Sequence, residues 1–69
     1  MQKSVAESLM KEMLDIGEHL NAADQLVGKL DDVQELNNYK RAIGNLMGLI
    51  YTEVMVPIIK NYPDLDPDK

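Results

Sequence analysis

The sequence contains no cysteine, no tryptophan and no phenylalanine among its 69 residues. The lack of cysteine excludes disulfide bonds and thiolate chemistry. Five methionines and many leucine, isoleucine and valine residues supply the apolar mass instead, which predicts an aliphatic and adaptable core. A single domain of this length buries so little surface that it needs a partner or very regular helix packing to be stable.

Recognisable catalytic and targeting patterns are also missing from the sequence. No glycine-rich phosphate loop follows a strand, and the single histidine belongs to no Ser-His-Asp constellation, so we expect neither an enzyme nor a cofactor. The first residues do not form a secretory signal, because Glu7, Lys11 and Glu12 interrupt any apolar stretch. We therefore expect a cytoplasmic protein.

The longest apolar run covers residues 42–59 and is close to the length that crosses a bilayer. Asn45, Glu53 and Pro57 lie within it, and a carboxylate is costly in hydrocarbon, so the run predicts a packed helix and no membrane contact. Gly44 and Gly48 form a GxxxG motif, which allows another helix to approach closely. The motif therefore implies a neighbour.

Apolar residues at alternating spacings of three and four predict two amphipathic helices. The first begins at a capping box of Ser4 and Glu7, and the second follows an Asp cap at residue 31 or 32. We call the line of apolar residues along one side of each helix its seam. The first seam contains Ala6, Leu9, Met13, Ile16, Leu20, Ala23, Val27 and Leu30. The second seam contains Val33, Leu36, Lys40, Ile43, Met47, Ile50, Val54 and Pro57. These patterns predict helices over about 4–30 and 33–60.

A turn at residues 31 and 32 places the two seams opposite each other, for example Leu9 against Val54 and Leu20 against Ile43. The sequence therefore predicts an all-α fold, an antiparallel two-helix hairpin over residues 1–60. Pro57 should end or kink the second helix near Val56. Residues 61–69, rich in proline and aspartate, predict an extended acidic tail.

Many apolar residues lie off both seams, more than a monomer usually exposes. They are Val5, Met10, Leu14, Leu26, Leu46, Leu49, Met55, Val56 and Ile58. The surplus predicts a homodimer in which two hairpins form a four-helix bundle. We expect its interface to contain Gly44, Met47, Gly48, Leu49, Tyr51 and Val56. The predicted function is that of a small interaction or regulatory module, which binds a second copy of itself and another protein.

Two alternative functions fit parts of the sequence. Glu12, Asp15 and His19 share one helical stripe, and such stripes build metal sites inside bundles. A dimerising hairpin with an acidic tail also resembles Rop, a plasmid RNA-binding bundle, in architecture. That resemblance implies RNA binding, whereas the net charge of −5 and the dispersed basic residues argue against a nucleic-acid partner.

Overall fold

A computed structural model describes residues 1–68, and this part of the chain is all-helical, with no strand. Helix α1 spans Lys3–Val27, and residues 28–32 connect it to helix α2, Val33–Leu49. A π-helical segment, Ile50–Met55, and helix α3, Val56–Asn61, extend α2 without a break, and a 3₁₀ turn follows at Pro63–Leu65. The predicted all-α two-helix hairpin is confirmed.

The predicted cap of α2 is confirmed, whereas the predicted cap of α1 is wrong. Asp32 Oδ1 accepts hydrogen bonds from the backbone N–H groups of Gln34 (2.8 Å) and Glu35 (3.2 Å). Helix α1 begins earlier than Ser4, with Gln2 at its N-cap and no side-chain cap. Ser4 therefore lies inside the helix, where its carbonyl accepts a hydrogen bond from the Ser8 hydroxyl (3.1 Å).

Helix α1 also ends earlier than predicted, at Val27 instead of residue 30. Gly28 still bonds back to the carbonyl of Asp24, at 3.2 Å, in the manner of an α-helix. The next two N–H groups, of Lys29 and Leu30, instead bond three residues back, at 3.0 Å each. This tightening is common in the last turn of a helix and leads the chain into the connection.

The core lies at the open end of the hairpin, away from the connection. Its buried side chains are Ala6, Met10, Met55 and Ile58. At the other end Leu26 and Val33 are 64% and 71% exposed. The hairpin is therefore closed where its two ends meet and barely packed beside its own turn.

The two predicted seams are recognisable along most of the hairpin. Positions such as Leu20, Val27, Leu36 and Ile43 are partly buried, between neighbours that are mostly exposed. Val33 departs from the pattern because α2 begins there, and Lys40 lies exposed. The three-four periodicity therefore predicted the contact line between α1 and α2.

The π-helical segment shifts the seam by one residue. The predicted sequence of positions continues from Ile50 to Val54 and Pro57, but Met55 and Ile58 are buried and Pro57 is exposed. A π-helical turn holds one more residue than an α-helical turn, and the N–H of Val56 accordingly reaches back to the carbonyl of Tyr51. The sequence analysis wrongly placed Met55 and Ile58 outside the seam because it assumed an unbroken α-helical period. It also wrongly placed Met10 of α1 in the exposed apolar surplus, since that side chain is only 4% exposed and belongs to the core.

The same segment changes the predicted effect of Pro57. The chain continues as α3 through Asn61, and Pro57 lies in the first turn of that helix. A proline is tolerated there because its missing N–H belongs to a turn whose donors lack regular partners. The wider turn thus accommodates Pro57 and moves it away from α1.

Residues 62–65 form a short strap across the open end, which differs from the extended tail predicted over residues 61–69. Tyr62 and Leu65 pack against the buried core. The Tyr62 hydroxyl donates to the carbonyl of Met1 (2.7 Å), and Lys3 Nζ donates to Asp64 Oδ2 (2.6 Å). These contacts hold the first residues of α1, and only Lys69 of the predicted tail lies outside the described residues.

Replacing Met10 by alanine should lower the free energy of unfolding by about 2–4 kcal/mol, because it empties a buried position in a small core. Leu26→Ala is the matched control, since that side chain is mostly exposed and its loss should cost less than about 0.5 kcal/mol. Denaturant unfolding followed by circular dichroism measures both values at one protein concentration. Similar losses for the two variants would contradict the placement of the core.

Deleting Thr52 should preserve the hairpin, because it removes the extra residue of the π-helical segment and leaves Met55 and Ile58 on the seam. Deleting Asn45, which is also exposed, should unfold the open end, since it rotates all following residues by about 100°. The melting temperatures of the two deletion variants test this difference. Equal destabilisation would show that the segment does not set the seam.

Candidate functional site

The exposed apolar surface of the hairpin is the main candidate for a functional site. Its ten large hydrophobic side chains that are each at least 39% exposed are Met1, Val5, Leu14, Ile16, Leu26, Val33, Tyr39, Leu46, Leu49 and Tyr51. The accessible area of 5158 Å² exceeds the value of about 4,400 Å² typical of a monomer of this mass. More surface thus remains in water than a compact domain of this mass leaves exposed.

The shape of the chain explains this excess area. The hairpin measures 46 × 20 × 16 Å, and its radius of gyration is 14.6 Å, compared with about 11 Å for a compact domain of this length. Two helices side by side form one contact layer and enclose no interior between layers. The apolar residues beside the seam therefore have nothing in the described chain to cover them.

An open groove of about 400 Å³ runs along one side of the seam. Its lining consists of Met13, Leu14, Gly17, Glu18, Asn21, Met47, Ile50 and Met55. Glu18 is the one charged member, and Asn21 supplies the other polar side chain. The groove thus offers apolar contact area with a polar rim, and it holds no pair of groups suited to acid–base or nucleophilic chemistry.

The residues beside the seam fall into two flanks. Each residue advances the helix by about 100°. The residue that follows a seam position in sequence therefore lies on one side of the contact line between the helices, and the residue that precedes it lies on the other side. We call the first set the groove flank, which contains Leu14, Gly17, Asn21, Gly44, Gly48 and Tyr51. We call the second set the acidic flank, which contains Glu12, Asp15, His19, Leu46, Leu49 and Glu53.

The glycines of the groove flank are not used for close packing within the hairpin. A Cβ atom built at Gly17, Gly44 or Gly48 would have nothing within 4 Å. Gly17 therefore marks no close approach within a single chain, and the neighbour that the GxxxG motif implies is not part of the described residues. Gly28 has a tighter environment, with the carbonyl oxygen of Gln25 at 3.2 Å from such a Cβ.

The six residues predicted for the dimer interface do not all share one flank. Gly44, Gly48 and Tyr51 belong to the groove flank, and Met47 lines the groove itself. Leu49 lies on the acidic flank and is 54% exposed. Val56 follows the π-helical segment and is half-buried near the core. The sequence analysis grouped these residues because it had no measure of which flank each one occupies.

The predicted metal stripe does not form a site in this structure. Among residues 1–68, no group of three histidine, aspartate or glutamate side chains lies close enough to hold a metal ion. Asp15 instead accepts a hydrogen bond from Lys11 Nζ at 2.9 Å, one turn away on α1. Glu12 and His19 are exposed. In a single chain these side chains therefore lie on the solvent-exposed side of α1 without converging on one point.

The basic side chains of residues 1–68 are dispersed along the hairpin. Lys3, Lys11 and Lys40 each bind a carboxylate, with Lys40 Nζ at 3.1 Å from Asp24 Oδ2. Lys29 lies in the connection between α1 and α2, and Lys60 lies near the opposite end. Phosphate binding depends on clustered cations that release counterions, and the described residues provide no such cluster.

Comparisons with known proteins identify no relative of this chain. The chain matches no protein-family model, no curated protein and no solved structure. The functional argument therefore rests on the surface of the hairpin.

The continuous helical stretch Val33–Asn61 is long and apolar enough to cross a membrane by length and composition. Its most apolar window has a mean hydropathy of 1.6, and 11% of that window is buried. The core helices of soluble proteins that pass the same test are mostly buried, whereas this stretch is not, and Glu53 within it is exposed. The low burial shows that the described chain provides no layer that covers this helix.

The strap should loosen at alkaline pH. The hydrogen bond from Lys3 to Asp64, followed by the charge of that carboxylate, raises the pKa of Lys3 above its usual value of 10.5. Its contribution to stability is therefore complete below that usual value and is lost as the pH rises through the raised pKa. We expect the melting temperature of the wild type to exceed that of Lys3→Met at about pH 9, with the difference vanishing near pH 12.

Lys29→Met is the control for this titration, because Lys29 has no ion pair in the described part of the chain. It should melt like the wild type at about pH 9. A difference between the wild type and Lys3→Met that stays constant with pH would contradict the role of the charged pair.

Proposed function

We propose that this protein is a non-enzymatic interaction module that acts as a homodimer, in which two hairpins form a four-helix bundle. The observation that carries the proposal is the surplus of exposed apolar surface beside a core of four side chains. Exposed apolar surface beyond what a monomer usually leaves in water is typical of protein–protein contact sites. The proposal includes a cytoplasmic location and no cofactor.

The size of the surplus supports a second protein chain as the covering layer. The accessible area exceeds the value typical of a compact monomer by about 800 Å². Each partner in a stable protein–protein contact buries about 800 Å². One contact of ordinary size would therefore bring the exposed area of the hairpin to that of a compact domain.

A second copy of the chain is the partner that the architecture favours. Two hairpins packed face to face enclose a core between two layers, which a single hairpin lacks. Identical chains commonly associate through a two-fold axis, which closes after two copies. The long axis of 46 Å lets the pair share one continuous contact line along both helices.

The chemistry of the groove supports a binding role in preference to catalysis. Its lining is apolar except for Glu18 and Asn21. No polar or charged side chain is buried among residues 1–68, so the described chain contains none of the desolvated groups whose perturbed pKa values mark many active sites. An apolar groove with a polar rim is sufficient for binding another protein.

The proposed homodimer predicts a molar mass of about twice 7.8 kDa that stays constant over a wide range of dilution. Light scattering coupled to size-exclusion chromatography measures the mass, and circular dichroism of the same fractions measures the helicity. Because folding and association are linked, the melting temperature should also rise with protein concentration. A folded monomer with a concentration-independent melting temperature would overturn the proposal.

Vesicle flotation tests whether the apolar surface is covered by a second copy of the chain or by a membrane. The purified chain is mixed with vesicles of phosphatidylcholine and phosphatidylglycerol and centrifuged through a density gradient. A homodimer with its apolar surface covered should stay in the soluble fractions. Quantitative flotation of the wild type, with loss of the dimer, would show that lipid covers the helix Val33–Asn61 and would overturn the proposal.

A further inference from the structure

The two flanks of the hairpin differ in the properties that decide which one can face a second copy. This inference rests on the homodimer proposed above and asks which surface forms its interface. A two-fold interface brings the same patch of both copies together, so that a suitable patch must complement itself in charge and in shape.

Charge separates the two flanks. The acidic flank exposes Glu12 and Glu53, and neither carboxylate has an ion pair among the described residues. Two copies that met on this flank would bring four such carboxylates towards one interface, where like charges repel and desolvation is costly. The groove flank has one carboxylate without an ion pair among the described residues, Glu18 at the edge of the groove, while Asp24 nearby is paired with Lys40 at 3.1 Å. Two copies that met on this flank would therefore bring two such carboxylates together instead of four.

Shape also favours the groove flank. The groove of about 400 Å³ leaves Met47 and Ile50 partly exposed to solvent, with the buried Met55 at its base. Leu14 lies at its edge and is 41% exposed. The open space above Gly17 and Gly48 adds depth, since a Cβ at either position would touch nothing within 4 Å. This flank thus combines a projecting apolar side chain with a cavity, as a self-complementary contact requires.

We infer that the second copy binds on the groove flank, with Leu14 of each copy entering the groove of the other. The contact buries the apolar groove lining of both chains, keeps Glu18 in water at the edge of the groove, and leaves Glu12 and Glu53 in water on the outer surface. Residues of both α1 and α2 take part, because both helices line the groove. The acidic flank, including Leu46 and Leu49, faces away from the dimer.

Two matched substitutions test the inference in the full chain. Leu14→Glu places a charge in the proposed interface, and Leu46→Glu places the same charge on the acidic flank at a residue of similar exposure. We expect Leu14→Glu to raise the dissociation constant of the dimer by at least about a hundredfold, since it buries an unpaired carboxylate. Leu46→Glu should change it by less than about threefold. Dilution series in light scattering provide both constants.

Site-directed crosslinking provides a second measurement that does not depend on a destabilising variant. The sequence has no cysteine, so each variant carries one thiol. Gly48→Cys introduces a side chain where nothing lies within 4 Å, and Leu49→Cys places one on the opposite flank. With a short bismaleimide, Gly48→Cys should form covalent dimers at least about tenfold faster than Leu49→Cys.

The outcomes distinguish this inference from the proposed function. A wild-type dimer that Leu46→Glu dissociates, and that Leu49→Cys crosslinks in preference to Gly48→Cys, would overturn the groove flank as the interface and leave the homodimer intact. A monomeric wild type would overturn the proposed function, and this inference with it. Circular dichroism of each variant confirms that the hairpin is folded when its mass is measured.

Discussion

Two helices can meet along only one line, and this geometric constraint governs the rest of the structure. Residues 1–68 contain four buried hydrophobic side chains, which lie where α1, the π-helical segment, α3 and the strap come together at one end. Elsewhere each helix has a neighbour on one side only. The elongated shape, the exposed leucines and the open groove all follow from having a single layer of contact.

In a regular α-helix, the apolar spacing would place a proline at a packed position, and the π-helical segment avoids this. The three-four pattern leads to Pro57 as the seam residue, and proline at a packed position in a helix interior disrupts the backbone. One extra residue in the turn replaces Pro57 by Ile58 on the seam and adds Met55 to the core. The strap then continues the shifted pattern, because Tyr62 follows Ile58 at the next seam spacing.

The features that the sequence could predict are those set by neighbouring residues. The contact line between α1 and α2 follows from apolar spacing, and the Asp32 cap follows from one side chain and the two N–H groups beside it. The strap depends on Tyr62 and Met1, which are far apart in sequence, and the change at Pro57 depends on packing against α1. The division of the interface residues between two flanks likewise requires the structure.

Charge separation explains how such an acidic chain could self-associate. Each copy carries a net charge of −5, and association brings the two charges together. Repulsion between exposed groups is weakened by salt beyond about 8 Å, whereas charges inside an interface are screened much less. An interface on the groove flank keeps Glu12 and Glu53 on the far side of each hairpin. The same distribution would oppose further association through the acidic flank and so limit assembly to two copies.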